Sequence, residues 1–216
     1  MKSDSELQKD VNTELSWDPS VSDRNIATKV NNGIVTLAGN VPHFIERTAA
    51  ENAAQRVSGI KAVVNELEVK IETGFQKSDV DIARDAVESL SWHYQVPEGV
   101  KVSVSKGWIT LKGKADWDYE RSAAINAVSS MLGVVGVSSE IELKSQVQSD
   151  DIKTRIEAAL KRSAKVESKG ITVVVNGSCV TLTGNVHSAS EKDDARMAAW
   201  AAPGIIFVEN NLHVVA

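Results

Sequence analysis

An α+β chain of three tandem αββαβ units, each a three-stranded mixed sheet with two helices on one face, is what the sequence predicts, and three observations predict it. A heptad recurs as GIVTLAG (Gly33 to Gly39), GWITLKG (Gly107 to Gly113) and SCVTLTG (Ser178 to Gly184), with Gly177 standing one place earlier than Gly33 and Gly107 do. Each closing glycine is followed 20 residues later by another, pairing Gly39 with Gly59, Gly113 with Gly133 and Gly184 with Gly204. Each later glycine opens one pattern, GIKAVVNELEV, GVVGVSSEIEL or GIIFVENNLHV, with valine four residues on. Threefold self-similarity of this kind marks a duplicated supersecondary unit.

The unit opens with an amphipathic helix. Leu7, Val11 and Leu15 recur at four-residue steps, as do Ile82, Ala86 and Leu90, and Ile152, Ile156 and Leu160, which makes one apolar stripe per helix. Ser3 with Glu6, and Ser78 with Asp81, stand ahead of the stripe as N-terminal caps. Trp17, Trp92 and Tyr94 end the first helices and are expected to be hydrophobic plugs.

A hairpin follows. Ile26, Thr28 and Val30 alternate, as do Val100, Val102 and Val104, and Ile171, Val173 and Val175, the period of a half-buried strand. The turns NNG, SKG and NGS suit a tight hairpin that needs positive φ. Val35 and Leu37, Ile109 and Leu111, Val180 and Leu182 supply the inward face of the second arm, which the heptad's last glycine is expected to end. A second helix spans 44 to 57, 118 to 131 and 189 to 202. Its stripe of Ala50, Ala53 and Val57, of Ala124, Ala127 and Met131, or of Ala195, Ala198 and Ala202 lets it lie close to a sheet. Gly59, Gly133 and Gly204 fit the position just past the helix end, and a third strand closes the unit. Whether that strand pairs with the first or the second is left open. The repeats span 3–71, 77–144 and 148–215, joined by ETGFQ and KSQVQ.

The order αββαβ, the G-x-V-T-L-x-G heptad, the pairs Glu46-Arg47, Glu120-Arg121 and Glu191-Lys192, and the later G-V/I-x-x-V together resemble the BON domain, named for bacterial osmotically inducible and nodulation proteins. The resemblance covers nearly the whole chain in three copies, and its motif residues are structural: turn glycines (Gly33, Gly39, Gly59, Gly107, Gly113, Gly133, Gly177, Gly184, Gly204) and core positions. It implies a non-catalytic binding protein in a setting of osmotic stress or the cell envelope, attached to phospholipid or another macromolecular surface.

Composition narrows the remaining classes. The 216 residues are 42% hydrophobic and 25% charged, ordinary for a folded soluble protein. Net charge is −5: residues 1 to 74 hold 8 basic and 11 acidic side chains, 75 to 147 hold 8 and 10, and 148 to 216 hold 8 and 8. No third is basic, which weighs against nucleic acid as a partner. With Cys179 the only cysteine, an intrachain disulfide and a four-cysteine zinc site are excluded. His43, His93, His187 and His213 have no ligand spacing, and no phosphate-binding glycine loop is present. Carboxylates such as Asp116 with Asp118 and Asp193-Asp194 sit at helix starts, where the dipole favours them. No enzyme and no cofactor are expected. The N-terminus lacks an apolar signal core, and no run reaches the length of a transmembrane segment, so the chain as given is expected in the cytoplasm, with the periplasm the alternative for a mature chain.

One constellation points to binding. With Val100, Val102, Val104, Ile109 and Leu111 inward, alternation sends Lys101, Ser103, Trp108, Thr110 and Lys112 to the opposite face of the second sheet, with Lys106, Lys114 and Trp117 near its ends. Tryptophan among lysines suits an anionic phospholipid surface. Alternatively, Trp108 packs against a neighbouring repeat, and Ala27, Ile34, Ala38, Val174 and Cys179 on the matching faces hint that those faces are covered. A rival function is a soluble adaptor or chaperone-like protein that takes protein partners on open sheet faces or edges.

Overall fold

The computed structural model describes residues 2–144, 152–163 and 170–215. The start of the third repeat at residue 148 and most of the KSQVQ connection lie outside the described residues. The first repeat runs α1 (Asp4–Trp17), β1 (Ile26–Asn31), β2 (Ile34–Val41), α2 (Phe44–Arg56) and β3 (Ala62–Val69). The second runs α3 (Asp79–Trp92), β4 (Lys101–Ser105), β5 (Trp108–Ala115), α4 (Asp118–Ser129) and β6 (Gly136–Leu143). The third runs α5 (Ile152–Arg162), β7 (Ile171–Asn176), β8 (Cys179–Val186), α6 (Ala189–Trp200) and β9 (Phe207–Val214). The fold class is α+β with three repeated units, each holding a three-stranded mixed sheet.

The open question of the third strand is answered by strand order. In every sheet the second strand is central, in the orders β1-β2-β3, β4-β5-β6 and β7-β8-β9. The hairpins pair antiparallel, while β6 runs parallel to β5 and β9 parallel to β8. A helical crossover returns the chain to the hairpin end and makes a parallel partner the natural product. Matching bonds then recur: Lys61 N–H donates to Gly33 O at 2.9 Å, Val135 to Gly107 O at 3.0 Å and Ile206 to Ser178 O at 3.0 Å.

The heptad's last glycine does not end the second arm. The central strands continue to Val41, Ala115 and Val186. In the third sheet Gly184 is the last residue opposite β7, facing Ile171, while β8 runs on beside β9 through Val186↔Val214. The glycine marks where hairpin pairing stops, because the first strand is shorter than the central one.

Compactness divides the chain differently from the repeats. Over the described residues, one unit gathers Met1–Gly39, Ala49–Glu66 and Ser145–Ala216, the other Asn40–Thr48 and Leu67–Lys144. Within the first unit, Gly59 N–H donates to His187 O at 3.2 Å. There α5 buries Ile152, Ile156 and Leu160 with Val173, Val180, Leu182, Ala195 and Ala199, and Trp200 packs half-buried against them. Within the second unit, Ile82, Ala86 and Leu90 of α3 meet Ile109, Leu111, Ala124, Val128 and Ile141, with Phe44 packed against the same core. The inward positions expected from alternation are thus buried on the central strands and, apart from buried Val173, half-buried on the first strands.

The hairpin turns explain the displaced glycine. Asn32 and Gly33 have φ of 51° and 78°, and Lys106 and Gly107 have 52° and 77°, the double positive φ of a type I′ turn. In the third repeat Gly177 has φ of 62° and Ser178 is not among the positive-φ residues, so glycine leads the turn as type II′ requires. Moving the glycine by one changes turn type and keeps the two-residue loop.

The first residue of α1 and of α3 then latches its turn. Asp79 accepts from Lys106 N–H and Gly107 N–H at 2.8 Å each, and Asp4 from Asn32 N–H at 2.8 Å and Gly33 N–H at 3.1 Å. Replacing Asp79 by alanine is expected to cost about 1–2 kcal/mol, since two charge-assisted bonds are lost at a partly exposed site. Lys106→Asn, which copies the first turn, is expected to stabilise by a few tenths to about 1 kcal/mol by relieving a left-handed lysine. Urea unfolding midpoints of the two variants check both signs.

Candidate functional site

The outer face of the second sheet places the predicted residues as alternation requires. Lys101, Ser103 and Ser105 on β4 stand opposite Lys112, Thr110 and Trp108 on β5. Those in turn face Glu140, Ser138 and Gly136 on β6, and Lys114 faces Glu142. Lysine is therefore interleaved with carboxylate. Lys112 pairs with Glu140 at 2.8 Å, which removes half of the cationic character expected of that row. Lys101 remains exposed beside Lys112, and Lys106 sits in the left-handed turn at the end of the face.

Trp108 is 43% exposed, and its indole N–H donates to Ser138 Oγ at 2.9 Å. Its ring lies so close over Gly136 that a methyl there would overlap the indole. The tryptophan thus covers a glycine of its own sheet. Trp117, at the other end of β5, is half-buried and stacks on Tyr119 with ring centroids 6.5 Å apart. Just after it, Glu120 accepts from Asp116 N–H at 2.8 Å and Trp117 N–H at 3.2 Å, closing the start of α4. The Glu191 carboxylate does the same for His187 N–H at 2.7 Å, so the acidic member of these motif pairs is a helix cap. The matching faces are less covered than expected: Ile34, Val174 and Cys179 are all exposed.

The expectation about the ends of the first helices is overturned. Trp17 is 82% exposed, Trp92 79% and Tyr94 93%, so none is a plug. Each tryptophan stands two residues past the last buried residue of its stripe, about 200° around the helix and therefore on the opposite side. On α3 the exposure extends along the helix, because Val80 and Val87 also face solvent. Sequence reading missed this second stripe, although its signal was there: Val80 and Val87 are seven apart and so share one side of the helix, about 100–120° around from the stripe of Ile82, Ala86 and Leu90.

Below this stripe a cleft of about 500 Å³ opens where α3 gives way to the 93–100 loop. Buried Leu90 and half-buried Val96 and Pro97 line it with the exposed residues His93, Tyr94 and Glu98. His93 Nδ1 lies 2.7 Å from Ser89 O, which holds the ring against the helix end. At the other end of α3 the Ser78 hydroxyl donates to the Asp81 carboxylate and holds it below the usual aspartate range. Among the described residues no group of three or more His, Cys, Asp or Glu could hold a metal ion, and no helix is long and apolar enough to cross a membrane.

Three tandem αββαβ units, each holding a three-stranded mixed sheet, place the chain among α+β tandem-repeat proteins. The BON domain family matches residues 3–71, 78–145 and 148–216, and the chain belongs to it. BON domains are generally non-catalytic binding domains with stress and envelope association. A search of curated proteins finds no match. Two solved structures are similar along the chain. One is CdsD, a structural protein of the type III secretion system of Chlamydia trachomatis, at 15% identity over 97% of this chain and 92% of that one, with a TM-score of 0.27. The other is the C-terminal domain of CdsD, at 16% identity over 96% of each chain and also with a TM-score of 0.27.

Proposed function

We propose that this chain is a non-catalytic protein that attaches to a phospholipid surface through α3 and its exit, with osmotic stress at the cell envelope as its setting. The observation that carries this reading is where the exposed apolar side chains are. Tyr94, Trp92, Val80 and Val87 are 93%, 79%, 69% and 59% exposed, and all lie on one helix or two residues beyond it. Apolar residues held in water around the exposed side of one helix and at its exit mark a contact surface, and tryptophan and tyrosine favour the membrane interface. Trp17 repeats the feature at the end of α1.

The predicted face of Lys101, Lys106, Trp108, Lys112, Lys114 and Trp117 is the second contact surface to be tested. Its Lys112–Glu140 pair and pre-set tryptophan favour a protein partner there, since mixed charges around a fixed aromatic anchor are features of protein interfaces.

Vesicle co-sedimentation separates the two. The Trp92→Ala, Tyr94→Ala double variant is expected to lose at least ten-fold in vesicle partition, as two interfacial aromatics are removed, while Trp108→Ala, Lys112→Ala binds as the parent does. The reverse pattern would move attachment to the second sheet. No binding by the parent to any vesicle would end the phospholipid reading in favour of a protein partner.

A further inference from the structure

We propose that the cleft at the exit of α3 receives the ammonium end of a zwitterionic phospholipid headgroup, held between the Glu98 carboxylate and the Tyr94 ring. The inference rests on attachment through α3 and names the lipid class that this attachment selects.

Charge comes first. Residues 79 to 100 carry five carboxylates (Asp79, Asp81, Asp85, Glu88 and Glu98) against the single cation Arg84. An apolar stripe on a helix of that sign is repelled by an anionic membrane within a Debye length, so the lysine-based expectation of an anionic surface does not extend to α3. In a zwitterionic phospholipid the ammonium is the outermost group. It is what an acidic surface meets first.

Chemistry at the cleft then fits that group. Asp79 is occupied with the hairpin turn, Asp81 pairs with Arg84 at 3.0 Å, Asp85 pairs with Lys77 at 2.5 Å, and Glu88 does not line the cleft. Glu98 has no ion pair or side-chain hydrogen bond with any described residue, although it lines the same cleft as Tyr94. A free carboxylate beside an exposed aromatic ring is the combination that recognises ammonium groups, by charge and by the face of the ring. Leu90 and Val96 give the cleft an apolar wall, and exposed Trp92, which in the chain stands between the lining residues Ser91 and His93, provides the interfacial anchor.

The test is co-sedimentation of the full chain with vesicles of phosphatidylethanolamine and phosphatidylcholine, and with the same vesicles carrying an anionic lipid, at low and high salt. The parent is expected to prefer the zwitterionic vesicles, and anionic lipid is expected to weaken binding at low salt. Glu98→Gln should lower zwitterionic partition by about two- to five-fold, the range of one exposed charge contact. Glu98→Lys should reverse the lipid preference. Parent binding that rises with anionic lipid, or Glu98 variants that bind as the parent does, would overturn the headgroup assignment. If the Trp92→Ala, Tyr94→Ala variant still loses binding in that case, attachment through α3 stands. Failure of the parent to bind any vesicle overturns both.

Discussion

Alanine at Gly39 or Gly184 is expected to destabilise its repeat by about 3–5 kcal/mol, whereas alanine at the equivalent Gly113 is expected to cost about 1 kcal/mol or less. The motif is the same three times and the geometry is not. Gly39 lies opposite Ile26 and Gly184 opposite Ile171, each the first residue of its strand. Both glycines have φ near 130°, a region that side chains disfavour, and a methyl on either would overlap a backbone carbonyl oxygen, that of Asn25 or of Gly170. Backbone cannot step aside as a flexible side chain can. In the second repeat β4 starts at Lys101, opposite Lys112, so Gly113 faces chain that has left the ladder. A methyl there meets Val100 Cα at 3.3 Å, and Gly113 is not among the positive-φ glycines. Hydrogen exchange read repeat by repeat measures the three variants in one experiment. Equal losses at all three would mean that the motif glycine serves the strand alone and not the close approach of the segment before β1 or β7.

How much of this was legible follows from which interactions are local. Period-two alternation placed Val35, Leu37, Ile109, Leu111, Val180 and Leu182 inward, and all six are buried, because the face of a strand residue depends only on its parity. Stripes at four-residue steps placed Leu7, Val11, Leu15 and their counterparts for the same reason. The partner of the third strand was not legible, since one-dimensional periodicity carries no information on which edge a strand joins. The extent of the second arm was missed because a glycine reads as a stop, whereas β8 at Gly184 gives up β7 and keeps β9. At the candidate site the outward residues of β4 and β5 could be named, but the Lys112–Glu140 pair and the Trp108–Ser138 bond depend on the register with β6, 28 and 30 residues away in the chain. Trp17 and Trp92 were misplaced although their helical phase, half a turn from the buried stripe, was computable.

Gly136→Ala is expected to destabilise the second repeat by about 1–3 kcal/mol, because its methyl overlaps the Trp108 indole and the ring must lift, breaking the bond to Ser138. In a Trp108→Ile background the same substitution should cost little, since the combination copies Ile34 and Ala62, which occupy the matching positions in the first repeat. The third repeat solves the same problem in reverse, with Cys179 on the central strand opposite Phe207. Each open face therefore carries one large and one small residue where its central and third strands begin. A socket for a partner would leave that volume empty. A double-mutant cycle on urea midpoints should give a coupling of about 1–2 kcal/mol between positions 108 and 136, and the single Gly136→Ala variant should show red-shifted tryptophan emission. Additive effects would mean that the indole does not depend on Gly136 and is free to engage a partner. Coupling means that Trp108 is held by its own sheet, and the exposed aromatics of α3 are then the ones with nothing of their own to cover.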